Sequence, residues 1–223
     1  MRDMRRGKAA RRRKGFTLIE LIITVAVIAA LATTVILVIN PVNLFKEARD
    51  SQRIADLEQM SRAVSLYAAN VGDIPTSICN GMCHVGLPAE LLNNRGTKGL
   101  GTATKCGNRY MTGNNNTTVT STVQSVDVNG WPGVDLTAIS LGTPMSAWPL
   151  DPKTVVNLNA GSTSVIFATS YYYSFACYAD PVAASTGWEF SANLESAKYA
   201  SSNAEADGGT DLRLYDVGTN IGL

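Results

Sequence analysis

Two hydrophobic patterns of different kinds follow one another in the first third of the chain. From Phe16 to Ile39 nearly every residue is apolar, and this run of 24 residues contains one charge, Glu20, and no Gly or Pro. A helix of this length spans roughly 36 Å, somewhat more than the roughly 30 Å hydrocarbon core of a bilayer. Because only a helix satisfies its own backbone in lipid, the run predicts a transmembrane helix.

The second pattern is amphipathic and predicts a helix from about Leu44 to Val71. Apolar residues at spacings of three and four define one buried stripe: Ile54, Leu57, Met60, Val64, Tyr67 and Val71. The other faces are expected to carry the charges of Lys46, Glu47, Arg49, Asp50, Arg53, Asp56, Glu58 and Arg62. Gly72 and Pro75 end this helix, and Pro41 either kinks or interrupts a rod built from both segments.

The rest of the chain has the pattern of strands and loops. Segments rich in aromatic or β-branched residues, or alternating in polarity, predict strands at about 164–169, 171–178, 188–194 and 212–216. Residues 93–130 are dominated by Asn, Gly, Thr and Ser, which predicts long surface loops or weak strands. Packing in a core or sheet is the favoured role of Tyr171–Tyr173 and of the three Trp residues, over a surface for stacking ligands.

Charge is distributed very unevenly. Residues 1–15 hold eight basic side chains against Asp3, a net charge of +7, whereas the whole chain is at +1 and residues 16–223 therefore carry −6. A basic cluster before a membrane span stays on the cytoplasmic side, which places residues from about 41 onward outside. A nucleic-acid-binding arm is the alternative, but beside a span the topology signal is favoured.

Two other interpretations of the apolar run fit less well. A cleaved secretory signal would use a site such as Ala30-Leu31-Ala32, which lies inside the run. A buried helix of a soluble protein would be shorter and less uniformly apolar. Glu20 fits none of these interpretations, and it is also unfavourable in a simple transmembrane helix. A carboxylate in the middle of a membrane costs about 2.5–3.5 kcal/mol, less near the interface. Such a residue usually has a partner, and the sequence of this helix contains none.

The segment Lys14-Gly15-Phe16-Thr17-Leu18-Ile19-Glu20 resembles the processing site of type IV prepilins and type II secretion pseudopilins. The resemblance implies that a prepilin peptidase cleaves between Gly15 and Phe16 and methylates the new amine of Phe16. It also implies that Glu20 guides assembly by pairing with a neighbouring subunit's N-terminus. The pairing is physically reasonable, because a cationic amine compensates a carboxylate in a low-dielectric filament core.

The resemblance also implies an architecture, which the segment Tyr67–Pro75 supports by its similarity to the end of the long helix in pseudopilins. The expected fold is α+β, with a long N-terminal helix packed on a small antiparallel sheet. The expected divisions are a basic leader at 1–15, a transmembrane and assembly helix at 16–40, an amphipathic helix at 41–75 and an exported head at 76–223.

The implied function is that of a structural subunit of a type IV pilus-like or secretion pseudopilus filament. Its partners would be further copies of itself, the prepilin peptidase, the assembly machinery and the membrane, with no direct nucleic-acid binding. It would pass from the cytoplasmic membrane, with a cytoplasmic N-terminus, to a surface or periplasmic filament. The alternative is a single-pass anchored extracytoplasmic domain that binds a ligand or acts as an enzyme.

Four cysteines in an exported chain favour disulfides, and four cysteines allow three pairings. The predicted pairs are Cys79–Cys83 and Cys106–Cys177, with free thiols or a Cys/His metal site that includes His84 as alternatives. Because His84 is the only histidine, a histidine-based catalytic centre is not expected. No catalytic residue is predicted, since the chain contains no G-x-S-x-G, Walker or H-E-x-x-H motif, and the chain is not expected to be an enzyme.

A short acidic loop near the C-terminus is a candidate calcium site. Asp207-Gly208-Gly209-Thr210-Asp211, preceded by Glu205, resembles the calcium loop of some pseudopilins. Carboxylates and carbonyls on a turn that glycine permits suit a hard cation. Glu205, Asp207 and Asp211 are the proposed ligands, and a solvated acidic turn is the alternative.

Overall fold

The computed structural model describes residues 15–87, 118–154, 170–180, 185–209 and 214–219. The leader residues 1–14, the predicted strand at 164–169, Cys106 and Asp211 lie outside these ranges. The chain divides into two compact units, residues 1–44 and 45–223.

The first helix, α1, runs from Leu18 to Ile39 and ends where Asn40 adopts the left-handed conformation, with φ of 47°. Pro41 then opens the next helix, a position at which proline loses no hydrogen bond. The chain is therefore interrupted between the two predicted helices. The large apolar side chains of α1 up to Ile36 are between 52% and 76% exposed, and the stretch Leu18–Ile36 is long and apolar enough to cross a membrane.

The second helix, α2, spans Pro41–Asn70. Four members of the predicted stripe are buried, together with Ala63: Leu57, Met60, Val64 and Tyr67. Val71 lies beyond the helix and is 44% exposed. The prediction that Asp50 and Arg53 belong to the solvated faces is wrong, because both are fully buried.

In the part of the chain that the structure describes, five strands form one sheet in the order β2-β1-β3-β4-β5. Their bounds are β1 Asn80–Gly86, β2 Thr118–Ser121, β3 Tyr173–Asp180, β4 Ser185–Asn193 and β5 Leu214–Gly218. β1, β3, β4 and β5 pair antiparallel, and β2 adds to β1 in parallel. The α+β arrangement of an apolar helix, a second helix and a small antiparallel sheet is like that of type IV pilins, as predicted.

Three strands lie close to their predicted positions, and β1 was not predicted. Its sequence, Asn-Gly-Met-Cys-His-Val-Gly, carries two glycines and has a single β-branched residue, so it has little intrinsic preference for a strand. The strand forms because it lies between β2 and β3 and its backbone hydrogen-bonds to both.

The hydrophobic core lies between α2 and one face of the sheet. Register places Phe175 of β3 opposite Phe190 of β4, with ring centroids 4.7 Å apart, and Cys177 opposite Trp188. Trp131 and Trp148, from the segment after β2, pack edge to face at 6.4 Å. All three Trp residues are at most 2% exposed, which confirms their predicted role in the core.

The disulfide pairing differs from the prediction. Cys79 is bonded to Cys177, with Cα atoms 4.7 Å apart, and this bond excludes both predicted pairs. Cys79 immediately precedes β1, whose Asn80 pairs with Tyr178, so strand pairing brings Cys79 beside Cys177. Four extended residues would separate Cys79 and Cys83 by roughly 13 Å, about twice the separation that a disulfide tolerates. Cys83 is also disulfide-bonded.

Proteolysis of the unreduced protein tests this pairing. Trypsin cuts after Lys and Arg, which places Cys79 and Cys83 on the peptide 63–95 and Cys177 on the peptide 154–198. We expect mass spectrometry to find these two peptides in one disulfide-linked species, together with the peptide that holds the partner of Cys83, and to find them separate after reduction. The predicted pairing would instead join 106–109 to 154–198 and leave 63–95 unlinked, and that result would contradict the Cys79–Cys177 bond.

Candidate functional site

The backbone around the predicted cleavage site is extended and exposed. Thr17 is the N-cap of α1, with φ −81° and ψ 151°, and its hydroxyl accepts a hydrogen bond from the Glu20 N–H at 3.3 Å. Threonine is a favoured residue at this position because its side chain satisfies an otherwise unpaired N–H of the first turn. A chain that begins at Phe16 would therefore start one residue before its helix cap.

Gly15 has no steric role among the described residues. A Cβ atom built on it would meet nothing within 4 Å. At Gly130 and Gly218, by contrast, a Cβ would collide with the carbonyl oxygens of Ser125 and Trp188. The packing of the described chain requires glycine at the latter two positions and not at Gly15, so a requirement for Gly15 would have to come from another molecule.

Glu20 is the only charged residue of α1. It is the third residue of the helix, where the N-terminal end of the helix dipole favours a carboxylate. Phe16, Leu18 and Ile19 around it are 67% to 82% exposed. No ion pair to Glu20 occurs within the described residues. Its charge is thus surrounded by apolar side chains that nothing in the described chain covers.

A second group of charges lies in the compact unit 45–223, called the head from here on, and the centre of this group is buried. We call it the Arg53 cluster, and its members are Arg49, Asp50, Arg53, Asp151, Lys153 and Glu195. The Arg53 guanidinium donates to both oxygens of Asp151, at 2.7 and 2.9 Å, and to Asp50 Oδ1 at 2.8 Å. It also lies 2.9 Å from Glu195 Oε1. The side chains of Arg53 and of these three carboxylates are at most 1% exposed.

Glu195 is the second centre of the Arg53 cluster. Arg49 donates to both of its oxygens at 2.8 and 2.7 Å, and Lys153 donates to Oε2 at 2.9 Å. The Asp50 carboxylate accepts from the backbone N–H groups of Glu195 and Ser196. Three cations thus meet three anions, and the cluster joins α2 to the 151–153 turn and to the end of β4.

The Arg53 cluster controls the ionisation of its members. Burial alone would raise the pKa of Glu195, but hydrogen bonds from Arg49, Lys153 and Arg53 outweigh burial and lower that pKa to about 2. Burial would likewise lower the pKa of Arg53, but its contacts with Asp151, Asp50 and Glu195 raise it above the ordinary arginine value. Glu195 and Arg53 therefore both stay charged at neutral pH.

The structure describes two of the three proposed calcium ligands. Asp207 accepts the Gly209 N–H at 2.8 Å through Oδ1 and the Asp216 N–H at 2.7 Å through Oδ2. Glu205 is exposed, and within the described residues no three acidic, Cys or His side chains form a metal-binding group. Asp216 is a further carboxylate beside Gly209, which sequence reasoning did not identify because it lies in β5 rather than in the acidic run.

Comparison with known families bears on the N-terminal segment. Residues 10–36 match the family described as the prokaryotic N-terminal methylation motif. The chain therefore carries the prepilin-type motif of type IV pilins and pseudopilins, as the sequence predicted. No curated protein and no solved structure matches the chain.

The Arg53 cluster predicts how the head responds to acid. Because the pKa of Glu195 falls from 4.5 to about 2 on folding, its stabilisation is complete above pH 4.5 and is lost as the pH falls towards 2. The shift corresponds to about 3 kcal/mol. Glu195→Gln should lose this stabilisation at pH 7 and show a flatter dependence of stability on pH between 4.5 and 2. Denaturant unfolding followed by tryptophan fluorescence measures this, because all three Trp residues lie in the head.

Glu58→Gln is the matched control. Glu58 also pairs with an arginine, Arg62 at 3.2 Å, but both side chains are substantially exposed. Exposed pairs contribute about 0–1 kcal/mol, so this variant should unfold almost like the wild type at every pH. Equal acid sensitivity in Glu195→Gln and the wild type would show that the Arg53 cluster does not set the acid limit.

Proposed function

We propose that this chain is a prepilin-type precursor whose mature form is a structural subunit of a type IV pilus-like or pseudopilus filament. The observation that carries the proposal is α1 itself. It is apolar and exposed from Leu18 to Ile36, and its single charge lies one turn from the predicted cleavage site. The match to the N-terminal methylation motif supports maturation by a prepilin peptidase.

Cleavage between Gly15 and Phe16 would change the charge of this segment. It removes a leader with a net charge of +7 and leaves a cationic amine on Phe16. The exposure of Gly15 and the open space around its Cα are consistent with recognition by an enzyme rather than with a role in folding. Methylation of the amine leaves it cationic, so its capacity to pair with a carboxylate is retained.

The exposed surface of α1 must be covered by something other than water. Burying one large aliphatic or aromatic side chain contributes about 1.5–3 kcal/mol, and twelve such side chains between Phe16 and Ile36 are more than half exposed. Lipid covers them in the membrane. In a filament, neighbouring copies of the same helix would cover these side chains in place of lipid.

Glu20 would determine how neighbouring copies of α1 align along their axes in such a filament. A carboxylate enclosed by apolar helices costs several kcal/mol unless an opposite charge reaches it. Because the described residues offer no cation to Glu20, the Phe16 amine of an adjacent copy is the partner that the filament would supply. A plain membrane anchor would gain nothing from this charge, which is why we favour a filament over a single-pass binding or enzymatic domain.

The test compares the wild type with Gly15→Asp, Glu20→Leu and Thr24→Leu. The mature wild type should begin at a methylated Phe16 by mass spectrometry, and Gly15→Asp should retain the leader. Glu20→Leu should be inserted and cleaved but be largely absent from sheared filaments, since breaking a buried ion pair costs about 3–5 kcal/mol. Thr24→Leu is the control, because Thr24 lies one turn further on and its hydroxyl bonds only within the helix, to the Leu21 carbonyl.

Two outcomes would contradict the proposal at different points. A mature N-terminus at Thr33, or filaments that contain the intact leader, would rule out prepilin processing. Normal filaments from Glu20→Leu would leave processing intact but remove Glu20 as the assembly determinant.

Calcium binding by the 205–216 region is a further part of this proposal. Asp207 and Asp216 both place a carboxylate oxygen beside Gly209, where a Cβ atom would contact each of them, and oxygen donors of this kind suit calcium. Bound calcium should raise the melting temperature of the head, following linkage, and Asp207→Ala should abolish the rise. Asp127→Ala is the matched control, because Asp127 also accepts the N–H two residues ahead, from Asn129 at 2.9 Å. An unchanged melting temperature in excess calcium would contradict the site.

A further inference from the structure

The only histidine of the chain lies inside the hydrophobic core of the head. His84 is in β1 and is 6% exposed. Register pairs it with Phe175 of β3, and directly paired residues project from the same sheet face, so the imidazole shares the face of Phe175. The two ring centroids are 6.1 Å apart. A group that titrates near neutral pH thus sits where only a neutral ring is well accommodated.

The surroundings of His84 favour its neutral form. The ring has a hydrogen bond with the backbone of Ile78 that favours the protonated form, which means that the ring donates to the Ile78 carbonyl. Nε2 is buried and has no hydrogen-bond partner among the described residues. A neutral imidazole that donates from Nδ1 and keeps a lone pair on Nε2 suits these surroundings. Protonation would place a second N–H, and a full charge, at an atom with no acceptor.

The titratable groups around this core do not compensate a charge on His84. Those in or beside the core are Tyr67 of α2, Tyr215 of β5, and Tyr173 of β3 with its hydrogen-bond partner Asp56 of α2. Asp135, in the segment after β2, interacts electrostatically with Tyr67. Within the described residues none of them hydrogen-bonds or ion-pairs with His84. Asp73, in the turn before β1, is exposed. β2 (Thr118–Ser121) has no titratable side chain, and Cys79 and Cys83 are both in disulfides.

We propose that His84 is an acid-sensitive latch, which holds β1 against the core while neutral and releases it when protonated in mildly acidic surroundings. The Cys79–Cys177 bond keeps the start of β1 tied to β3, so the release is local to the β2–β1 side of the sheet. The latch lies entirely in the unit 45–223. It goes beyond the proposed filament function and does not depend on it.

The effect of His84 on the stability of the head falls in a different pH range from that of Glu195. Burial lowers the pKa of His84, with the Ile78 hydrogen bond opposing. The unfolded chain therefore binds the proton more readily, and the stability of the head falls as the pH drops below the ordinary histidine value of about 6.5. Glu195 contributes only below pH 4.5. Burial raises the pKa of Asp56, which gives the opposite sign, because protonating Asp56 favours the folded state.

Nuclear magnetic resonance of the wild-type chain tests the latch directly. The full chain in detergent micelles, without a polyhistidine tag, has a single histidine, so its ring resonances need no assignment by mutation. We expect the titration midpoint to lie below 6.5. We also expect the amides of Val85 and Leu87 to exchange faster at pH 5.5 than at pH 7.5 after correction for intrinsic rates, with α2 amides unchanged. A midpoint at or above 6.5 would overturn the proposal.

A non-titrating variant provides the second measurement. His84→Asn keeps a donor close to the position of Nδ1 and cannot be protonated. The melting temperature of the wild type should fall by about 2–4 °C between pH 7.5 and 5.5, whereas that of His84→Asn should stay constant. Glu58→Gln, which is exposed, should follow the wild type. An equal fall in His84→Asn would overturn the latch, and if that variant does not fold, the resonance titration decides.

Discussion

The head of this protein depends on the compensation of one buried charge, that of Arg53. Its guanidinium contacts Asp50, Asp151 and Glu195, which come from α2, from the turn after the segment 122–150 and from the end of β4. Removing one partner from such a buried group costs about 3–5 kcal/mol, whereas an apolar replacement of the whole set can be neutral. The Arg53 cluster is therefore better understood as a device that fixes how α2 docks on the sheet than as a source of net stability. The Cys79–Cys177 bond fixes the other end of the same core, beyond the C-terminus of α2.

Much of this fold follows from short-range patterns. The apolar run predicts α1, the stripe predicts the buried face of α2, and β-branched and aromatic residues predict β3, β4 and β5. The Arg53 cluster could have been suspected as well, because Asp50 and Arg53 continue the three-and-four spacing of Leu57, Met60, Val64 and Tyr67. Charges on the extension of an apolar stripe indicate burial with partners. The identity of those partners, 98 and 142 residues away from Arg53, has no local signal.

What the sequence could not predict depends on long-range pairing. β1 has two glycines in seven residues and becomes a strand because β2 and β3 lie on either side of it. The same strand explains why the predicted cysteine pairs are wrong. The short spacing of Cys79 and Cys83 favours a disulfide between them only if the chain turns there. In a strand the same spacing separates them. Asp216 was missed for a related reason, since it approaches Asp207 through the pairing of β5 and not through proximity in sequence.

Three ionisable groups lie in apolar surroundings and differ in whether an opposite charge lies beside them. This difference distinguishes a structural charge from a functional one. Arg53 is compensated within its own chain, by three carboxylates, and its role ends with the fold. His84 is tolerated because it is neutral, so its role changes when a proton arrives. Glu20 lies at the head of an exposed apolar helix, and the described chain gives it no counter-charge. An intramembrane carboxylate of this kind is retained against a cost of insertion. A charge that the described part of the chain does not compensate suits a partner in another molecule, and the same helix that bears it offers an apolar surface on which such a molecule would pack.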